Sequence, residues 1–431
     1  MTRKMITVAI LGCGSRGITY GDLMLQHEDQ YKIVSVCDIK PSALSKASQR
    51  YGIDPDNVFA DENRFFEKKR ADLLVVATLD KDHVRQCLRA LELGYDILVE
   101  KPISDSREEC YDLLNAQKKY GGKVFVCHVL RYAPAFVKAG ELLKSGAIGR
   151  LVAIDALEQV AYWHQAHSYV RGNWRRSEET TPMLMAKCCH DLDLLQFYAG
   201  ARCETITSVG DLTFFNRQNA PSGSSERCLD CKYVDQCPYS ARRCYTERWK
   251  KTGSAKDAWP YNVITSEFPL TEEAIERGIK NTMYGRCVFF CDNDVVDHQL
   301  STMSFENGVK ATLTMTGFTA EIGRHIVFHG TYGEIVLNEE LPYLELKKFG
   351  EEPRRIDLTD TQEVCGFAHG GGDYMMIREL YDMLTNEEEG ATALESSLES
   401  HLMCIAAEES RLAKGKMMYV HGYGEEGSSA I

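Results

Sequence analysis

The chain has 431 residues, 44% hydrophobic and 26% charged, with 50 Lys and Arg against 63 Asp and Glu for a net charge of -13. That length suits two domains of about 100–200 residues with an insertion, and the acidic balance speaks against nucleic acid as a partner. No stretch reaches the roughly 18 consecutive apolar residues of a membrane span. The start, MTRKMITVAI, runs into a strand pattern without the apolar stretch of a signal peptide. The expected location is the cytoplasm, where the 16 Cys are thiols or metal ligands rather than disulfides.

Residues 5–11, MITVAIL, have strand length and β-branched character, and lead into Gly12-Cys13-Gly14-Ser15-Arg16-Gly17. A GxGxxG between a strand and a helix is a dinucleotide-binding turn. Its glycines permit the tight turn, the approach of backbone to pyrophosphate and close helix packing, with the phosphates at a helix N-terminus. The next strand, KIVSVCD, ends at Asp38, 21 residues beyond Gly17. An acid there accepts both hydroxyls of an adenosine ribose, against the blander role of capping the helix at 41–50. Ile39 follows, with no Arg to receive a 2′-phosphate, so NAD is expected over NADP, which Lys40 keeps open. Strands 71–78 and 95–100 flank a helix at 81–93, the alternation of a doubly wound parallel sheet.

The fourth strand ends in Glu100-Lys101-Pro102. With the glycine turn and Asp38, this tripeptide resembles the signature of the Gfo/Idh/MocA oxidoreductases, and the similarity runs over nearly the whole chain. The fold implied is an N-terminal Rossmann domain (1–126) plus a C-terminal α/β domain (127–431) with an open, mostly antiparallel sheet. The resemblance implies NAD contact by Gly12, Gly14, Ser15, Arg16, Gly17, Asp38, Thr78, His83, Glu100 and Lys101, although Leu79 and Asp80 replace the family's Pro and Asn. Arg131 and Tyr132 stand where family members often face substrate. Lys101, at the carboxyl end of a parallel strand, points toward the ligand crevice and can orient a hydroxyl or pass a proton.

Beyond residue 150, segments such as VKATLTMTG and GEIVLN alternate with period two, as sheet strands with one buried face do. Between them, 180–200 is an apolar-periodic helix with Lys187 and His190 at i and i+3. Many family members carry an Asp four residues before the catalytic His, where this chain has Ala186. It is similar instead to the subgroup with Lys-x-x-His-Asp-x-Asp. His190 is then the expected acid or base, with Lys187 as its electrostatic partner. The segment YWHQAHSYVRGNWRR (162–176) concentrates aromatic faces and donors of the kind that hold sugars, and His167, Arg171 and Trp174 are its expected substrate contacts. His369, in GFAHGGGD, is a further candidate.

Residues 210–295 fit neither strand pattern and contain Cys228, Cys231, Cys237 and Cys244 within seventeen residues. A C-x2-C start is a zinc spacing, and a structural zinc pinning a coreless insertion is expected, with an iron–sulfur cluster or free thiols as the alternatives. The resemblance implies an NAD-dependent dehydrogenase of a sugar, cyclitol or glycoside, acting as a homo-oligomer. The alternatives are an NAD-requiring glycoside hydrolase or lyase that oxidises C3 transiently, and a non-catalytic NAD sensor.

Overall fold

The computed structural model describes residues 4–251, 259–265, 267, 269–358, 368–386 and 390–421. Six parallel strands form the first sheet, in the order β3-β2-β1-β4-β5-β6: β1 (Ile6–Leu11), β2 (Tyr31–Cys37), β3 (Val58–Phe59), β4 (Leu73–Val76), β5 (Asp96–Val99) and β6 (Val124–Val126). The strand β4 is buried throughout, as expected where helices cover both faces. The crossovers are α1 (Ser15–Leu25), α2 (Pro41–Tyr51), α3 (His83–Glu92) and α4 (Arg107–Tyr120). Strand order reverses between β1 and β4, so ligands fit at the carboxyl ends of these two strands.

After α5 (Pro134–Lys144) come β7 (Leu151–Gln159), β8 (Cys203–Asp211), β9 (His298–Phe305), β10 (Lys310–Thr316), β11 (Gly323–Gly330), β12 (Gly333–Asn338), β13 (Tyr343–Lys348), β14 (Arg354–Asp357) and β15 (Met418–Tyr419). They form a nine-stranded sheet in the order β14-β13-β12-β11-β7-β10-β9-β8-β15, with β7 parallel to β10 and every other neighbouring pair antiparallel. Its inward residues, among them Ile154, Leu313, Met315, Ile326 and Phe328, share one core with α6 (Met183–Ala199) and with a C-terminal helix, Leu394–Leu412. Between β8 (Cys203–Asp211) and β9 (His298–Phe305) lies the expected insertion, with one helix of ten residues, α7 (Glu272–Asn281). It is not coreless. Tyr245, Trp249, Tyr261, Ile264, Ile275 and Ile279 pack with Trp163 in a separate apolar cluster, and Phe215, Val288 and Phe289 form another with Val170.

Helix α8 (Gly372–Thr385) returns to the first domain and buries Met376, Ile377 and Leu380 against Tyr20, Tyr31 and Val8. The C-terminal helix is α9 (Leu394–Leu412). Through α8 and α9 the second domain's residues reach the mouth of the first sheet.

Candidate active site

At the end of β1, Gly12 has φ +93°, and a Cβ there would lie 2.4 Å from the carbonyl oxygen of Ala77. One at Gly17 would lie 2.0 Å from the carbonyl of Gly12, so neither position accepts a side chain. Gly14 is the opposite case: a Cβ would meet nothing within 4 Å, so the space over the turn is open. Helix α1 begins there with no side-chain cap and no acidic residue in its first turn, leaving first-turn amides to an anion. Ser15 is exposed on this edge. These residues fit a dinucleotide pyrophosphate.

Asp38 follows β2, its Oδ2 accepting from the Cys13 amide and its Oδ1 from the Lys40 amide, each at 2.7 Å. Two backbone donors thus fix the carboxylate beside the glycine turn. Hydrogen bonds to a charged acceptor contribute about 1.5–3 kcal/mol. Asp38→Arg is therefore expected to weaken NAD binding by about tenfold or more, measured by calorimetry; parental affinity in the variant would remove the ribose assignment.

Arg16 and Glu100, expected at the cofactor, are committed to each other. Arg16 Nε donates to Glu100 Oε1 at 2.5 Å, and its other nitrogens reach Tyr20 and Asp373 of α8. Burial would raise the Glu100 carboxyl, yet Arg16 and Lys101 hold it below the usual range. This pairing ties the glycine-turn helix to the start of the Glu-Lys-Pro loop. His83 is also a positioning residue: it is 1% exposed, its Nδ1 lies 2.7 Å from the Pro102 carbonyl and its Nε2 3.3 Å from that of Thr78. The shorter of the two contacts, to the Pro102 carbonyl, ties the ring to loop backbone. Thr78 Oγ1 donates to Gln86 Oε1 at 2.6 Å.

Lys101 Nζ donates to the carbonyl of Ala186 at 2.7 Å, one helical turn before His190 on α6. A backbone carbonyl thus meets the ammonium at the position where many family members carry an Asp. His190 is 5% exposed, and its Nδ1 has no hydrogen-bond partner among the described residues. Burial first, then Lys101, His369, His128 and Arg324, push its pKa well below the ordinary imidazole value. A neutral imidazole has a free lone pair for a proton, and this environment disfavours keeping it.

Lys187 is not the partner expected for His190. Its ammonium lies 2.6 Å from Glu158 of β7, and Arg324 pairs with both Glu158, at 3.0 Å, and Asp191, at 2.8 Å. The long side chain leaves the His190 face to neutralise a carboxylate that is 0% exposed. Burial would raise the Glu158 carboxyl, but Arg324 and Lys187 hold it down. The cation nearest in influence to His190 is Lys101.

Four expected substrate contacts are built into the scaffold instead. Arg131 grips Asp193 with two nitrogens, at 2.7 and 2.6 Å, and both side chains are buried. Tyr132 is 3% exposed, its hydroxyl 2.9 Å from Thr392 Oγ1. His167 stacks on Tyr284 at 4.7 Å with its Nδ1 3.0 Å from the Tyr245 hydroxyl, inside the insertion's aromatic core. Arg171 is fully buried, its Nε and Nη2 donating at 2.6 Å to the carbonyls of Arg286 and Tyr239. It stitches the insertion to the π-helical turn Gln165–Arg171.

Trp174 remains half-buried, its Nε1 3.2 Å from Asp80, which also accepts from Thr181 Oγ1 at 2.9 Å. Asp80 therefore joins the loop after β4 to the entry of α6. His164, three residues before His167, lies against Trp163, Tyr169 and Trp259, and its pKa is lowered by burial and then by Lys187, His167 and Lys101.

Two family models match this chain, the NAD-binding Rossmann fold over residues 6–128 and the C-terminal alpha/beta domain over 140–418. The chain belongs to the Gfo/Idh/MocA oxidoreductase family. Its N-terminal domain is accordingly an NAD-binding Rossmann fold. The protein YteT of Bacillus subtilis is 22% identical over 90% of this chain and 94% of its own length. The 2,7-anhydro-N-acetylneuraminate hydratase of Mediterraneibacter gnavus is 24% identical over 48% of this chain and 53% of its own. An inositol 2-dehydrogenase/D-chiro-inositol 3-dehydrogenase of Lactiplantibacillus plantarum is 24% identical over 34% and 42%. An Agrobacterium radiobacter oxidoreductase solved with NAD+, L-tartaric acid and magnesium superposes with a TM-score of 0.69 at 15% identity, over 97% of this chain and 99% of that one, which shows the shared fold.

In this Gfo/Idh/MocA chain the expected zinc quartet is not assembled. Among the described residues no group of three His, Cys, Asp or Glu side chains is placed to hold a metal ion, and Cys228, Cys231, Cys237 and Cys244 are free thiols. Cys244 lies 3.7 Å from the Pro238 carbonyl and Cys228 3.6 Å from that of Arg286. The aromatic core described above supplies the stabilisation that the metal was expected to supply. No helix among the described residues is long and apolar enough to cross a membrane.

Proposed function

We propose that the protein oxidises a secondary hydroxyl of a sugar, cyclitol or glycoside. The observation that carries this reading is Lys101 at 2.7 Å from the Ala186 carbonyl, with His190 one turn further on. The pair stands at the carboxyl end of β5, beside the crevice where ligands of such sheets bind. NAD+, held by the glycine turn and Asp38, supplies the hydride acceptor. Lys101 orients the hydroxyl, and His190, kept neutral by burial and by Lys101, takes its proton as the carbon becomes a carbonyl. The inositol dehydrogenase relative supports a polyhydroxylated substrate.

A second reading, a lyase or glycosidase that oxidises a ring carbon only transiently, is favoured by the hydratase relative and by His164. Elimination next to a new carbonyl needs a second base for the acidified C–H. His164 has a buried Nδ1 without a protein partner among the described residues and senses both Lys101 and Lys187. The sensor reading has no use for the Lys101–His190 arrangement.

The test is to incubate the protein and NAD+ with free sugars, cyclitols and nitrophenyl glycosides while following reduced nicotinamide and aglycone release together. Net NADH is the expected result. Aglycone without net NADH selects the second reading, and neither product would overturn both.

A further inference from the structure

Four histidines lie in a row through the candidate site. Ring centroids are 5.5 Å apart from His401 to His128, 5.9 Å from His128 to His190 and 5.8 Å from His190 to His369. One end of the row is closed. His401 has both ring nitrogens in use, Nδ1 at 2.9 Å from the Ser397 carbonyl and Nε2 accepting from the Ile103 amide at 2.9 Å. His401 and His128 are both 0% exposed. The other end is open: the His369 side chain is 36% exposed, while its Nδ1 lies 2.8 Å from Oδ2 of Asp373, itself 1% exposed.

We propose that His369, oriented by Asp373, is the relay through which the proton taken by His190 reaches solvent. The proposal rests on the reading of His190 as the base. In the complete step the carbinol C–H leaves as hydride to NAD+, and the O–H proton passes to His190. It then moves to Nε2 of His369 and on to water. The carbinol loses two electrons, NAD+ gains them, and one proton is released.

Three observations favour this route. His190 is 5% exposed and has little direct access to water, and its surroundings disfavour a retained proton. Asp373 stays ionised, because Arg16 and His369 outweigh the effect of burial. A carboxylate on Nδ1 fixes the tautomer of an imidazole and stabilises its protonated form, so Nε2 is left to exchange, the logic of an Asp–His pair in hydrolytic triads. Finally, His369, Gly370 and Gly371 all have left-handed backbone, with φ of +53°, +58° and +89°. Such a conformation is unfavourable for a His and marks segments held in place by their surroundings. It sets the ring one turn ahead of Asp373, at the start of α8.

Charged and titratable groups lie around His369 on three helices. Asp373 belongs to α8 and is bridged to Arg16 of α1; His190 comes from α6, with Lys101 behind it. Arg131, on the neighbouring turn Val129–Tyr132, is turned away into Asp193.

The test is nuclear magnetic resonance of ring-15N-histidine protein with NAD+ bound, measuring exchange of the His190 ring N–H with water, with His190→Gln to assign the signal. His369→Asn is expected to slow that exchange by about tenfold or more, and added imidazole to restore it. Asp373→Asn is expected to slow the same exchange, because the ring loses the carboxylate that orients it. Thermal melting and calorimetric NAD binding on the same samples monitor folding. Unchanged exchange in His369→Asn, or slowed exchange that imidazole does not restore, would overturn the relay. The two readings fail separately: a His190→Ala variant that keeps its turnover removes the base, whereas an inactive His190→Ala with normal exchange in His369→Asn removes only the relay.

Discussion

His190→Ala and Lys101→Ala are each expected to lose about 10²–10⁴ in the rate of hydride transfer at saturating substrate, with NAD affinity close to parental. The two effects are expected to separate because, on the proposed reading, the glycine turn and Asp38 hold the cofactor while the proton passes elsewhere. Lys101 and His190 act on one hydroxyl, so the double variant is expected to be little slower than the poorer single one. Lys101→Ala also removes the bond to the Ala186 carbonyl, and a melting curve on the same sample separates lost chemistry from a shifted helix. Lys187→Ala makes an informative contrast. Its ammonium shares the fully buried Glu158 with Arg324, so stability should fall first, since taking one cation from a buried ion network leaves the carboxylate under-compensated.

The second large effect is a loss of stability on acidification. His128, His164, His167, His190 and His401 all have pKa values pushed down, chiefly by burial, His167 and His401 to about 3. An unfolded histidine titrates near 6.5. Below that pH the unfolded chain binds protons that the folded one refuses, so stability is fully present above about 6.5 and is lost as pH falls toward the folded pKa values. Asp191, Asp193 and Glu379 are shifted up by burial and act in the opposite sense, since the folded protein retains protons there as pH drops. Five groups against three leave a net loss, with a slope of about 1.4 kcal/mol per pH unit for each net proton. The thermal midpoint should therefore be several degrees lower at pH 5 than at pH 7.5, and flat or rising stability over that interval would contradict the burial of these imidazoles. His167→Phe keeps the aromatic stack on Tyr284 and should flatten the dependence.

Local pattern made the fold readable. The glycine turn, the strand alternation and the period of α6 are set by residues within a few positions of one another. The segment 180–200 was expected as helix, and Met183–Ala199 is one. Lys101 could be placed because a strand end fixes its direction. What the sequence concealed were partners far along the chain. Arg131 looks like a substrate contact until Asp193, 62 residues on, takes two of its nitrogens; Arg16 looks like a cofactor contact until Asp373, 357 residues on, pairs with it. The same holds for Lys187 and Glu158, and for His167, drawn into an aromatic core from the insertion. The cysteine spacing misled for a related reason: it matches a zinc ligand pattern, but spacing does not reveal that Tyr245, Trp249 and Ile275 already give the insertion a core.

The central claim is that a substrate carbon gives hydride to NAD+ beside Lys101 and His190. Its most direct test is to offer the protein and NAD+ a panel of polyols and uronic acids deuterated at each ring carbon in turn, and to examine the nicotinamide by mass spectrometry within the first turnover. The account predicts that one position of at least one substrate transfers its deuterium to the nicotinamide, and that His190→Ala slows the transfer by about 10²–10⁴. NAD binding at parental affinity with no deuterium transferred from any position would contradict it and leave the chain a nucleotide sensor.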